Sequence, residues 1–289
     1  MSIAPRKCYS LRLDSKRLDL GQRTLVMGIL NVTEDSFSDG GRFHDSHSAV
    51  QHGLDLIVAG ADILDIGGES TRPGSEPVSV ETELDRVIPV IEAIRESSDI
   101  PISIDTTKAE VARQAIAAGA DMVNDVSALR FDDDMVEVVA QSEVPLILMH
   151  MLGTPRTMQQ APFYASLLSE IIAFLEERAH FATKHGVDRE QILIDPGIGF
   201  GKTVAHNLTI IRDLRVFSCL DLPIVIGASR KRFIGSVLDR PVEDREVGTG
   251  VVNAVSIVAG GAHIIRVHDV EWHRQVAAMA DALRDPQDW

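Results

Sequence analysis

Several things are scarce in this chain, and each scarcity closes off a class of protein. Of 289 residues only two are cysteine, Cys8 and Cys219. Two thiols offer no disulfide framework and suit a reducing compartment. Aromatic residues make up only 4% of the chain. The core must then be aliphatic, as in parallel sheets covered on both faces. Positive charge is in deficit, with a formal net charge of −15. Nucleic-acid binding is led by phosphate contacts from Lys and Arg, so this balance argues against it. Screening beyond about 8 Å still lets a local cationic cluster hold a small anion. No apolar run approaches the roughly 20 residues of a membrane helix. The start, Met1-Ser2-Ile3-Ala4-Pro5-Arg6, lacks the apolar core of a signal peptide. The expectation is a cytoplasmic protein with no membrane and no nucleic-acid partner.

What is present is a rhythm. Hydrophobic residues make up 45% of the chain, and they fall in short apolar runs separated by longer helix-like stretches. The runs at Leu25 to Leu30, Ile63 to Ile66, Ile102 to Ile104 and Met122 to Val123 read as strands. So do Leu146 to Met149, Ile192 to Ile194, Ile224 to Ile226 and Ile264 to Val267. Between them, Val111, Ala112, Ala115 and Ile116 share one helical face, as do Leu84, Val87, Ile88, Ile91 and Ile94. Thr107 with Glu110 forms a capping-box pattern, and Pro89 is placed to kink its helix. Gly60, Gly119 and Gly261 each open a Gly-Ala pair just before an apolar run, where a left-handed glycine ends a helix.

About eight β-then-α units predict a (β/α)₈ TIM barrel rather than an open doubly wound sheet. The open sheet would place Gly-x-Gly-x-x-Gly after its first strand, whereas this chain has Gly28-Ile29-Leu30-Asn31-Val32-Thr33. No linker composition divides the sequence. One domain over 1–289 is expected, with its core at about 22–285 and an N-terminal arm or hairpin across the barrel's bottom.

In a barrel the carboxyl ends of the strands converge on one mouth. Here they carry Asn31, the 69–74 loop, Asp105, Asn124, His150, Asp195, Ser229-Arg230-Lys231-Arg232, and Arg266 with His268. Any one of these is equally well a helix cap; a polar residue at nearly every strand end is not explained that way. Asp105, Asn124 and Asp195 suit the edge of a heterocycle bearing amino and ring N–H donors. Arg72, Lys231, Arg266 and His268 suit phosphate or carboxylate. Asn31 could give an oxygen to Mg²⁺ held through substrate phosphates. Asp195 to Thr203 misses the P-loop pattern because Pro196 stands where glycine is required. Lys202 then reads as a solvated surface lysine. The histidines lack zinc spacing, and no Gly-x-Ser-x-Gly elbow appears.

These residues assemble into recognisable motifs: Met27 to Thr33, Asp35 to Gly41, Asp65 to Gly74, Ile104-Asp105-Thr106 and Asn124 to Ser127. His150-Met151 with Gly153 to Met158, Asp195 to Lys202, Ser229-Arg230-Lys231 and Arg266 to Asp269 follow in order. The chain resembles the dihydropteroate synthase family of pterin-binding enzymes. The resemblance implies a usually dimeric barrel, a target of sulfonamides. It implies condensation of 6-hydroxymethyl-7,8-dihydropterin pyrophosphate with 4-aminobenzoate, giving 7,8-dihydropteroate and pyrophosphate with the help of Mg²⁺. Carried over by motif, Asp105, Asn124, Asp195 and Lys231 would hold the pterin, with Met149 lining the site. Arg266 would lie beside the pterin and grip pyrophosphate. Asn31 and His268 would serve pyrophosphate and Mg²⁺. Phe37, Thr71, Arg72 and Pro73, on two closing loops, would frame the aminobenzoate pocket with Phe200. Asp105, Asp195, Lys231 and Arg266 would carry the catalysis. Glu34, Ile198 and Arg232 depart from the family pattern, and Arg232 stands near the expected aminobenzoate carboxylate. Two other readings share the pterin set: a methyltetrahydrofolate–corrinoid methyltransferase, which needs no pyrophosphate grip, and a catalytically silent pterin-binding paralogue.

Overall fold

A computed structural model describes residues 5–14, 16–33, 42–70 and 74–286, with the side chains of residues 42–45 excepted. Eight parallel strands follow one another around a nearly closed barrel. They are β3 (Leu25–Asn31), β4 (Ile63–Gly67), β5 (Ile102–Asp105), β6 (Met122–Asp125), β7 (Leu146–Met149), β8 (Ile192–Asp195), β9 (Val225–Ile226) and β10 (Ile264–Val267). Their hydrogen-bonded order runs from β8 back to β3, then to β10 and β9. A parallel bridge from Ile194 to Ile224 joins the two ends. The expected (β/α)₈ barrel is observed.

Around it lie α1 (Arg42–Val58), α2 (Val80–Ser97), α3 (Ala109–Ala117), α4 (Met135–Ser142) and α5 (Leu167–Lys184). They continue with α6 (Val204–Arg212), α7 (Arg232–Leu238), α8 (Glu246–Val258) and α9 (Val270–Arg284). One expectation about their ends fails. The helix at 109–117 has Lys108 at its N-cap and no side-chain cap bond. The Thr107–Glu110 capping box does not form: the helix starts one residue later, and Asp132 from the loop after β6 accepts from the Ala109 amide at 2.7 Å. Pro89 lies inside α2, which spans Val80–Ser97. Gly60, Gly119 and Gly261 do take left-handed φ values of +96°, +114° and +73°, ending their helices as expected.

Alternation along each strand decides what each face does. Outward residues such as Leu64, Ile66, Ile104, Val123, Leu148 and Ile194 pack with the helices in one large core. Inward residues near the strand starts, including Leu25, Met27, Ile63, Met122, Ile147 and Leu193, form a second apolar cluster. Leu11, Leu13 and Leu20 join that inner cluster. They come from an antiparallel hairpin of β1 (Tyr9–Arg12) and β2 (Arg17–Leu20). The N-terminal hairpin therefore plugs the barrel's bottom, as expected. Toward the opposite end the inward positions include the polar Asn31, Asp65, Asp105, Asn124, Asp195 and Arg266. An apolar floor under a polar mouth places the chemistry at the C-terminal face.

Candidate active site

The register brings the polar ends together. Asp105 lies opposite Asn124, and Met149 lies opposite Asp195. Arg266, on β10, reaches across the interior. Its Nη2 donates to Asp105 Oδ2 at 2.7 Å, and its Nε donates to Asp65 Oδ2. Asn124 Nδ2 donates to the same Asp65 carboxylate at 3.2 Å. Asp65 is completely buried, so its charge depends on these donors. Sequence reasoning passed over Asp65 as the first residue of a loop motif. The available signal was a carboxylate inside an otherwise apolar strand, where a buried charge requires a partner.

Asp195 ends β8 and accepts from the Gly197 amide at 2.7 Å. Burial pushes its carboxyl up to about 6, against the pull of the Gly197 amide, Lys231, Lys202 and Arg266. Burial likewise pushes Asp105 up, while the Arg266 guanidinium pulls it down. Asp105 Oδ1 is buried with no hydrogen-bond partner among the described residues. An unmatched buried acceptor at the mouth of a barrel suits a ligand that brings its own donor. Asp195 and Arg266 face each other across Gly227, where an added Cβ would lie 3.7 Å from Asp195 Oδ2 and 3.8 Å from Arg266 Cδ.

Beside this acidic end lies an apolar wall of Val126, Met149, Met151, Met158 and Phe200. The Lys231 ammonium sits 4.1 Å from the centroid of the Phe200 ring, a cation–π contact. Next to it, Ser229 Oγ and His268 Nδ1 are 2.9 Å apart. Asn31 closes β3 opposite Gly67. Arg232 opens α7 and is exposed. Phe37, Thr71, Arg72 and Pro73, with Glu34, lie outside the described residues.

Lys202 is not a surface lysine. It is only 3% exposed. Its Nζ lies 2.9 Å from His150 Nδ1 and donates to Phe200 O at 3.0 Å. The near-miss P-loop had suggested a solvated side chain, but the glycine-rich turn folds inward. Gly197 packs so closely on the end of β7 that a Cβ there would lie 1.9 Å from His150 O. No cluster of three or more His, Cys, Asp or Glu side chains able to hold a metal ion occurs among the described residues. No helix among them is long and apolar enough to cross a membrane.

Together these groups can hold the donor edge of a heterocycle on Asp105, Asn124 and Asp195. They also offer cations to an anion and an apolar slot beside both. Comparison with known proteins points the same way. The pattern of the family described as pterin binding enzyme matches residues 27–268. A dihydropteroate synthase of Synechocystis is 51% identical over 266 residues, covering 92% of each chain. A Yersinia pestis dihydropteroate synthase in a sulfonamide drug complex superposes with a TM-score of 0.90 at 40% identity, covering 96% of this chain and all of that one. A Xanthomonas albilineans enzyme with 4-aminobenzoic acid gives 0.89 at 43% identity, covering 96% and 99%. The same enzyme in complex with 7,8-dihydropteroate gives 0.85 at 41%, again covering 96% and 99%.

Proposed function

The chain belongs to the pterin-binding enzyme family and is a dihydropteroate synthase of folate biosynthesis, and from that premise we propose how its own residues divide the work. The observation that carries the assignment is the inward-facing set Asp105, Asn124 and Asp195, with one unmatched carboxylate oxygen on Asp105. A reduced pterin presents amino and ring N–H donors that fit those acceptors. Burial raises the cost of leaving them unpaired, which makes the site selective for a ring that supplies donors.

Arg266 is held by Asp65 and Asp105 with its guanidinium at the mouth. It lies where it can grip pyrophosphate and stabilise the charge that grows as the C–O bond breaks. Ser229 steers the His268 ring toward the same anion. The electron-rich pterin delocalises the cation left behind, and the Asp105 carboxylate favours it electrostatically. The neutral arylamine of 4-aminobenzoate then attacks the methylene carbon from the apolar wall. Phe200 and Met149 line that wall, and the family resemblance assigns Phe37, Thr71, Arg72 and Pro73, outside the described residues, to the same substrate. Lys231 supports the pterin beside Asp195, and Arg232 is available to the aminobenzoate carboxylate.

Among the described residues Asn31 would offer one oxygen to a Mg²⁺ held otherwise by the substrate pyrophosphate and water. Bound there, it would supply charge neutralisation to the leaving group. The exposed, unpaired Cys8 and Cys219 suit a cytoplasmic location. The pterin and aminobenzoate partners require no macromolecule. A second copy of the chain has an apolar stripe to dock on: Val247, Val251 and Val255 stand exposed at four-residue spacing on α8, beside Val237 and Leu238 of α7.

The deciding experiment supplies purified protein with the dihydropterin pyrophosphate, 4-aminobenzoate and Mg²⁺ and follows dihydropteroate. Product is expected only with all three present, and sulfonamide inhibition should be relieved by added 4-aminobenzoate. Pterin binding without product would return the reading to a silent paralogue, or to methyl transfer from methyltetrahydrofolate to a corrinoid.

A further inference from the structure

Lys202 is a buried residue of the described mouth whose placement the reaction does not explain. A lysine this deeply buried normally sits against a carboxylate, because taking an ammonium out of water is costly. Among the described residues no carboxylate bonds to Lys202. Its Nζ contacts His150 Nδ1 at 2.9 Å, Phe200 O at 3.0 Å and His150 O at 3.4 Å. The charged and titratable groups around it are Asp195 at the end of β8, Lys231 before α7, His150 after β7 and His206 on α6.

Those contacts share one geometry. The turn from Gly197 to Gly201 is built of alternating left-handed glycines, with φ of +73°, +84° and +63° at Gly197, Gly199 and Gly201. Glycine gives such a turn freedom but little to hold it. Its other ties are Phe200 N to Gly197 O at 3.1 Å, Gly197 N to Asp195 Oδ1 at 2.7 Å, Gly199 N to Asn207 Oδ1 at 2.7 Å, Gln159 Nε2 to Gly199 O at 2.7 Å and Tyr164 Oη to Gly201 O at 2.9 Å, and none of them holds the Phe200 carbonyl. Lys202 adds the tie from the Phe200 carbonyl to the fixed end of β7 at His150. Phe200 in turn lies under Lys231. The His150 ring is kept neutral by burial and the nearby Lys202 and Arg130 charges, its basicity held down to about 2. Its Nδ1 is therefore free to accept from Lys202. Burial also pulls Lys202 down to about 7, and a neutral amine donates through the same geometry.

We propose that Lys202 is a positioning residue for the aminobenzoate side of the site. It pins the glycine turn to His150 so that the Phe200 ring holds its place under Lys231. The inference rests on the reading of Phe200 as part of the aminobenzoate wall.

The test compares the full-length enzyme with Lys202→Met and Lys202→Gln. In Lys202→Met, amide hydrogen exchange at Gly199 and Phe200 should accelerate at least fivefold without substrates. The KM for 4-aminobenzoate should rise at least fivefold, while the affinity for a pterin lacking pyrophosphate stays within twofold. Lys202→Gln keeps a neutral donor and should recover part of both losses. Because Lys202→Met could unfold, His150→Phe serves as a second variant that removes the acceptor and should repeat the Lys202→Met pattern. Turn amides exchanging at the wild-type rate would overturn the proposal, as would equal loss of affinity for both substrates. If the wild-type enzyme forms no dihydropteroate, the functional reading fails, and the exchange rates still decide whether Lys202 holds the turn.

Discussion

The residues of the mouth are kept at a cost to folding, and that cost has a sign. The Asp195 carboxyl has its folded value raised from 3.8 to about 6 by burial. Between those values the folded state keeps a proton that the unfolded state loses, so its contribution weakens stability as pH climbs. Asp195→Asn keeps an oxygen for the Gly197 amide and removes the buried charge. It should lower pterin affinity by at least tenfold in calorimetry. Its melting temperature relative to wild type should be higher at pH 8 than at pH 5, by on the order of 3 °C. A relative melting temperature that does not change with pH would refute the assigned burial. Arg266 behaves oppositely. Arg266→Ala strands the buried Asp65 and Asp105 carboxylates, which costs about 3–5 kcal/mol when a buried pair loses one partner. Turnover should also fall further than binding of a pterin without pyrophosphate. A variant that melts like wild type would show that Asp65 is satisfied by other donors.

At the scale of elements, the packing of α8 on α9 depends on a missing side chain. A Cβ on Gly250 would lie 2.3 Å from the Trp272 ring of α9, too close for either helix to keep its place. Gly250→Ala should destabilise the protein by about 1–3 kcal/mol, the usual range for overpacking. A denaturant melt with an unchanged midpoint would contradict this packing. On the outer face of α8, Val251 is 60% exposed. If this stripe joins two copies, Val251→Asp should shift sedimentation from dimer to monomer without changing the melting temperature of a dilute sample. The capping-box error belongs to this scale. Thr107 and Glu110 fit the local pattern, but Asp132 arrives from the next loop to take the Ala109 amide. A local signal loses when a partner remote in sequence satisfies the first turn of a helix that starts one residue later.

For the whole molecule, closure of the barrel makes the hairpin necessary. Eight strands leave the inward side chains Leu25, Met27, Ile63 and Leu193 facing an open bottom, and Leu11 seals them while itself fully buried. Leu11→Ala should cost about 2–5 kcal/mol through lost burial and the cavity left behind. Thermal unfolding should shift even though Leu11 lies at the opposite end from the chemistry.

The division between sequence and tertiary structure follows the range of each signal. Strand positions were legible because aliphatic runs and helical spacing repeat locally, and two of the eight, at 146–149 and 264–267, match residue for residue. Several other strands run one or two residues further, taking in Asn31, Asp105, Asn124, Asp125 and Asp195, because the polar mouth is still part of the sheet. The sequence thus determined the barrel, the order of its polar ends and, by its motifs, the family. Only the tertiary structure decided that Arg266 spans from β10 to Asp65 and Asp105, and that Lys202 turns inward to His150. Those contacts join residues far apart in the chain, and what buries a charge is the closure of the sheet and the path of the loops over it. No spacing along the chain carries that information, because burial is a property of the assembled molecule.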